Sequence, residues 1–320
     1  LTTTYLFRKV RTLSFGFDWK DSGVRAALRQ FAPQLFSSSI NQINQIADKS
    51  MATLLGIGRV SALSYSSRLI IFLPEIFLSS FGRTLLPTLS EQVSREQFDE
   101  IKQMLNSAFR WILFLLLPVV CATIILRLHI VGLLFERGSF TADNTRLTAF
   151  ALAFYAPSIL LVTINICIRR TIFALQQSAF IARIGFVGVG FNVLMNFILM
   201  QFIDVGGLAL ATTLSSLLHL VASYWFLTTK LGKIHDETLP GGLVKIGLGC
   251  AVMSVVLLLA PGWLAEVMPA DSTGTKLAFL ITISLAGGLT YLGVARLLRI
   301  EELGKLFAIV MRKGRGSNTG

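Results

Sequence analysis

Eight apolar runs, each close to twenty residues or longer, divide this chain into hydrophobic segments joined by short polar connections. Few folds accept that pattern. A helix needs about 20 predominantly apolar residues to cross a bilayer, and a lipid-embedded backbone must satisfy its hydrogen bonds internally. The runs lie near 28–56, 60–86, 108–134, 146–168, 184–203, 206–229, 243–263 and 276–296. With 53% hydrophobic against 14% charged residues and a mean hydropathy of +0.69, the sequence predicts an all-α integral membrane protein of about eight transmembrane helices.

The net charge of +12 would suit nucleic acid, but the basic residues sort by side of the membrane instead. With the N-terminal segment placed in the cytoplasm, 22 of the 29 Lys and Arg fall on cytoplasmic segments, five fall outside, and Lys49 and Arg68 lie within spans. That is the positive-inside distribution. The excess charge therefore implies topology and contact with anionic membrane lipids, with no nucleic-acid partner, and it puts both ends of the chain in the cytoplasm. Cys121, Cys167 and Cys250 sit singly in apolar runs without metal spacing and are expected to be packing residues.

The stretch RVSALSYSSRLIIFLPEIFLSSFGRTLLPTLS, 59–90, carries Arg68 and Glu75 inside an otherwise insertable run. An ionised side chain at mid-bilayer costs about 2.5 to 3.5 kcal/mol on insertion scales, so such a residue is expected to face a bundle interior or a wet cavity. Ser61, Ser64, Tyr65, Arg68, Glu75 and Ser79 recur at steps that share one side of a helix. Pro74 lacks an N–H and frees the Ile70 carbonyl, which predicts a kink or local unwinding.

In the first span the polar residues Gln34, Ser38, Asn41, Asn44 or Gln45, and Asp48 repeat at three- and four-residue steps and predict one wet face. Asn41, Asn44, Arg68 and Glu75 are the candidate substrate contacts. Gly56 to Gly58 predict a tight hairpin, and Asp48 and Arg68 lie nine and eleven residues from its centre, so they are expected at a similar depth. Two accounts fit: a structural ion pair that lets both charges be buried, or an Arg68 that offers a permanent, bidentate charge to a phosphate while Asp48 holds a cation.

Farther along, the mixed segment EQVSREQFDEIKQMLN at 91–106 predicts a helix lying on the cytoplasmic surface, and the third span is expected to pack against lipid. In LLFERGSFTADNT, Gly138 turns the chain, Thr141 caps and Asp143 occupies the first turn of the fourth span. Arg169 and Arg170 end that span, either facing the pore from the cytoplasmic side or, the favoured reading, anchoring to lipid heads. The fifth span places Asn192 and Asn196 one turn apart, and the sixth places Thr212 one turn beyond Leu208. These groups serve either as interhelical hydrogen bonds or, with Asp48, as oxygen ligands for a sodium-like hard cation. The last two spans are Gly- and Leu-rich and are expected to be peripheral.

Several stretches, SALSYSSRL with LPEIFLSSFGRTLLPTLS, LFERGSFTADNT, RRTIFALQQS, and FNVLMNFIL with GGLALATTLSS, resemble the MurJ (MviN) lipid II flippases of the multidrug/oligosaccharidyl-lipid/polysaccharide exporter superfamily. The resemblance covers the later part of that family: the second six-helix lobe, here 27–232, and two trailing helices, 233–298. Residues 1–26 then form a basic linker or amphipathic helix, 299–320 a basic tail, and the N-terminal lobe is an expected partner not contained in this sequence. The resemblance implies a bacterial inner-membrane transporter for cell wall biosynthesis, carrying undecaprenyl-pyrophosphate-linked disaccharide pentapeptide, lipid II, to the outer leaflet by alternating access. Arg68 matches the family's cavity arginine, and Asp48, Asn192, Asn196, the Leu208 carbonyl and Thr212 match a family sodium site, so Na+ is the implied coupling ion. The chain departs from the family at Ser67 and Glu75 and has an amide at Asn196 where some members have an acid.

Two other transport activities fit the same superfamily: a flippase for another polyprenyl-linked polysaccharide and a cation-coupled drug antiporter. A membrane enzyme acting on polyprenyl phosphates would call for clustered acids or histidines at a cytoplasmic face. His129, His219 and His235 are scattered, and Glu96, Asp99 and Glu100 suit a solvated helix face, so no catalytic residue is assigned.

Overall fold

The computed structural model describes residues 42–234, 238–267 and 273–306, excluding the side chains of 73, 75–88, 90, 94, 238–239, 261–267 and 273. Asn41 and the side chain of Glu75 lie outside the described residues. Among those described, regular structure is helical throughout: α1 (42–54), α2 (Arg59–Ser94), α3 (Phe98–Phe135), α4 (Ala142–Ala174), α5 (Ser178–Ile203), α6 (Val205–Leu231), α7 (Thr238–Val267), α8 (Thr273–Leu297) and a terminal turn of helix at 301–306. Six of these, α3 to α8, are long and apolar enough to cross a membrane over their described residues.

The α1–α2 hairpin forms where the sequence predicts it. Gly56 and Gly58 take φ of 107° and 86°, a left-handed backbone that a side chain would strain. Helix α2 then runs unbroken through Pro74, so the local unwinding expected at that residue does not occur. Thr141 stands at the N-cap of α4 in an extended conformation and makes no side-chain cap bond, while Asp143 occupies the first turn.

Residues 91–106 do not form the separate surface helix that their charge pattern suggests. The chain breaks at Glu96, whose φ is 56°, and Phe98 starts a single 38-residue helix that continues through the third span. Packing decides this: Ile101 and Leu105 are 0% and 1% exposed and belong to the main core. Asp99 and Glu100 remain in the first turn, where the helix dipole favours acids.

Two apolar cores meet along α3. One lies among α2, α4 and α6 and takes Ile101, Ile112, Leu152, Ile168 and Leu208; the other joins Phe114 and Leu126 to Met253, Leu257, Ile283 and Tyr291 of α7 and α8. The third span therefore meets protein on two sides, while most of its apolar stretch stays unburied and available to lipid, as expected. Helices α7 and α8 pack on each other and on α3, and the Tyr291 hydroxyl donates to the Phe114 carbonyl at 2.8 Å.

Polar ties mark the two ends of the bundle. At one, Arg59 pairs with Asp204 at 3.0 Å, and Glu136 accepts from Thr145 at 2.8 Å and from Lys276 at 3.4 Å. At the other, the Asn106 amide donates to the Ile234 carbonyl, and Arg110 bridges Glu301 and the buried Glu302 at 3.1 and 2.6 Å. Residues 301–306 are thereby docked as a helix against α3.

Candidate functional site

Helix α2 presents two polar faces, and the one bearing Ser64, Ser67 and Arg68 opens on a cavity of about 670 Å3. Gln45, Asp48 and Lys49 of α1, Tyr155 and Ser158 of α4, and Thr212 and Ser216 of α6 complete its polar lining, with the ring of buried Pro74 among its apolar neighbours. Short α1 and long α2 leave a four-residue turn in opposite directions, so that Asp48, seven residues before it, and Arg68, ten after it, both line this cavity.

They do not pair. Among the described residues no carboxylate lies in salt-bridge range of Arg68 or Lys49, and both side chains are exposed to the cavity. The Asp48 carboxylate, in a residue only 7% exposed, turns instead to α5 and α6: Oδ1 accepts from Asn196 Nδ2 at 2.6 Å and Oδ2 from Thr212 Oγ1 at 3.2 Å. The Asn196 amide also donates to Asn192 Oδ1 at 3.0 Å, and Thr212 is 3.2 Å from the Leu208 carbonyl. Asp48, Asn192, Asn196, Leu208 and Thr212 are thus one cluster, drawn from three helices.

Its oxygen inventory suits a hard monovalent cation. Carboxylate, amide, backbone carbonyl and hydroxyl groups meet here without sulfur or imidazole; the Asn196 amide nitrogen faces Asp48 and Asn192, and its Oδ1 is buried with no hydrogen-bond partner. A buried acceptor without a donor costs about 1 to 3 kcal/mol, a cost that a bound cation would remove.

Asn44 is half-buried on α1 outside the cavity lining, with Oδ1 unpartnered, so its polar-face reading does not bring it to Arg68. Lys49, Tyr155 and Ser158 also reach the cavity, though no sequence pattern marks them as cavity groups. The signal for the last two was a three- and four-residue stripe, Tyr155, Ser158, Val162 and Ile166, whose mixed polarity reads as ordinary helix packing. Arg169 and Arg170 are half-buried at the far end of α4 and do not line the cavity.

A bundle of apolar helices around a cavity lined by two cations and one carboxylate defines a multi-pass integral membrane protein with a polar interior. Its fold matches a solved lipid II flippase MurJ in an inward closed conformation with a TM-score of 0.70, at 21% identity over 94% of this chain and 59% of that one. An outward-facing multidrug resistance MATE family transporter of the MOP superfamily matches at 0.52 and 15% identity, over 85% and 64% of the two chains. The chain belongs to the lipid II flippase MurJ family, whose model matches residues 1–285. It is 27% identical over 288 residues to a probable lipid II flippase MurJ of Rickettsia prowazekii, covering 89% of this chain and 56% of the relative. A probable lipid II flippase MurJ of Thermotoga maritima is 28% identical over 297 residues, covering 91% and 56%. The chain spans about half the length of these curated relatives.

Proposed function

We propose that this chain is the later half of a flippase that moves lipid II, a muropeptide on undecaprenyl pyrophosphate, across a bacterial cytoplasmic membrane by alternating access. The observation that carries the reading is the exposed Arg68 guanidinium on the wall of a 670 Å3 cavity, with Lys49 beside it and no carboxylate in salt-bridge range among the described residues. Two cations facing one acid complement a diphosphate, and a guanidinium meets phosphate oxygens bidentately. The enclosing helices are apolar outward, so the headgroup would travel in a wet interior while its hydrocarbon stays in lipid.

The role of this half is to bind and to change state, with no bond made or broken, and its cavity would be completed by an N-terminal lobe that the longer relatives have room for. Asp48, Asn192, Asn196, Leu208 and Thr212 would hold a sodium ion, which supplies a charge-dependent bias between the two states. Glu75 and Asn41 remain candidate contacts for the cargo. The lysines and arginines of the 95–110, 230–245 and 296–305 regions support a cytoplasmic placement for that end of the bundle, and with it for both ends of the chain.

The test is the sidedness of lipid II in cells that depend on the full-length protein. Arg68→Ala is expected to abolish translocation, and Arg68→Lys to restore part of it, because the charge returns without the bidentate geometry. Unimpaired translocation by Arg68→Ala at ordinary expression would refute the role given to Arg68.

A further inference from the structure

At the end of the bundle that carries the 55–58 turn, a depression of about 560 Å3 opens between the start of α2 and the α3–α4 connection. It is distinct from the central cavity: Ser61 and Tyr65 face it, whereas Ser64, Ser67 and Arg68 face the other way around α2. One wall is aromatic. Tyr65, Phe135 and Phe140 stand with ring centroids 4.7, 5.4 and 6.0 Å apart, and each keeps part of its surface exposed.

The remaining wall is made of hydrogen-bonding groups, with Arg137 exposed on the connection and Asn144 half-buried on the first turns of α4. Thr148 also lines the pocket. It is 0% exposed, yet its hydroxyl has no partner. Threonines elsewhere in these helices bond the carbonyl four residues back, as Thr163 does to Ile159 at 2.6 Å and Thr171 to Cys167 at 3.2 Å. Thr148 leaves a buried polar group open, which is costly unless a ligand or water meets it.

Ring faces beside amide, guanidinium and hydroxyl groups form the surface that a sugar requires. The C–H face of a pyranose lies against an aromatic ring, and its rim of hydroxyl and acetamido groups needs both donors and acceptors. A phosphate would leave the aromatic wall unused, and an alkyl chain would strand Thr148 and Asn144. The volume lies within the range of small-molecule pockets, roughly 300 to 1,000 Å3.

We propose that this pocket is a saccharide site that receives the disaccharide of the cargo at the outer end of the bundle, in a step separate from the seating of the pyrophosphate at Arg68, because the two sites lie on different faces of α2. The proposal rests on the reading of the cargo given above, but its test does not.

The probe is the soluble N-acetylglucosaminyl-N-acetylmuramic acid disaccharide, without lipid or pyrophosphate, added to the full-length protein in nanodiscs and followed by saturation-transfer NMR. Transfer from aromatic protons to the sugar ring is expected for the wild type and for Arg68→Ala, undiminished by inorganic pyrophosphate. Thr148→Val keeps shape and burial while removing the hydroxyl, so it should weaken binding by about fivefold, the worth of one hydrogen bond; Phe140→Ala should abolish the transfer. Absence of transfer in the wild type, or equal affinity in Thr148→Val and Phe140→Ala, overturns the proposal. Sugar binding here with lipid II sidedness unaffected by loss of the protein would leave this site standing and refute the flippase reading; intact translocation without sugar binding would do the reverse.

Discussion

Asp48→Asn separates the cation role of the cluster from its packing role. The substituted amide has the shape of the carboxylate, its oxygen can still accept from Asn196 Nδ2, now 2.6 Å from Asp48 Oδ1, and its NH2 can donate to Thr212 Oγ1, now 3.2 Å from Oδ2. Both contacts survive in kind, so what is lost is the charge assistance of two hydrogen bonds; a bond to a charged group is worth about 1.5 to 3 kcal/mol against about 1 for a neutral one. That loss is offset because the buried site no longer holds a carboxylate that must be desolvated. The net change in fold stability in sodium-free buffer is therefore expected to stay within about 1 kcal/mol.

The sodium response should behave differently. A ligand that binds only the folded state stabilises it by about 2.7 kcal/mol at a hundred times its dissociation constant, and removal of the one formal charge in the oxygen set removes most of that. The assay is a set of melting curves of the full-length protein in sodium, potassium and choline chloride at equal ionic strength. Wild type should melt higher in sodium, and Asp48→Asn should melt alike in all three, close to the wild type in choline. A sodium-specific shift that persists in Asp48→Asn would refute the cation assignment, whereas a large loss of stability in choline would refute the packing argument.

Gly207→Ala at the start of α6 should destabilise the fold by about 1 to 3 kcal/mol, and a lower melting temperature would register it. A Cβ there would stand 2.8 Å from the Met200 nitrogen and closer still to the Leu199 carbonyl, all backbone atoms that cannot rotate away. Glu136 predicts an acid dependence at the same end of the bundle. The Thr145 hydroxyl, and then Lys276, hold its carboxyl below the ordinary value of 4.5. Its stabilising contribution is therefore full above the ordinary value and is lost as pH falls through the lowered one. Glu136→Gln should melt closer to wild type in acid than at neutral pH, and melts across that range check it.

The helices were legible in the sequence for local reasons. An apolar run of twenty residues has one way to bury its backbone in lipid, and the Gly56 to Gly58 turn follows from φ values that other residues resist. The 91–106 stretch is ambiguous in sequence because a charged amphipathic pattern fits a surface helix equally well. Only the packing of Ile101 and Leu105 into the core shows that it is the first turns of α3. The site divides in the same way. Arg68 stood out because a charge inside an apolar run is expensive wherever it points, while Tyr155 and Ser158 carry no such anomaly and became cavity residues only through the approach of α4 to α2.

By itself the sequence determined the membrane, the helix order and the charges that had to be accommodated, since each follows from transfer energies counted along one chain. The tertiary structure decided the partners: that Asp48 turns to Asn196 and Thr212 and leaves Arg68 open to the cavity. Spacing places two charges at a similar depth, but the direction each side chain takes depends on which donors the neighbouring helices bring within 3 Å or so, the range in which hydrogen bonds form.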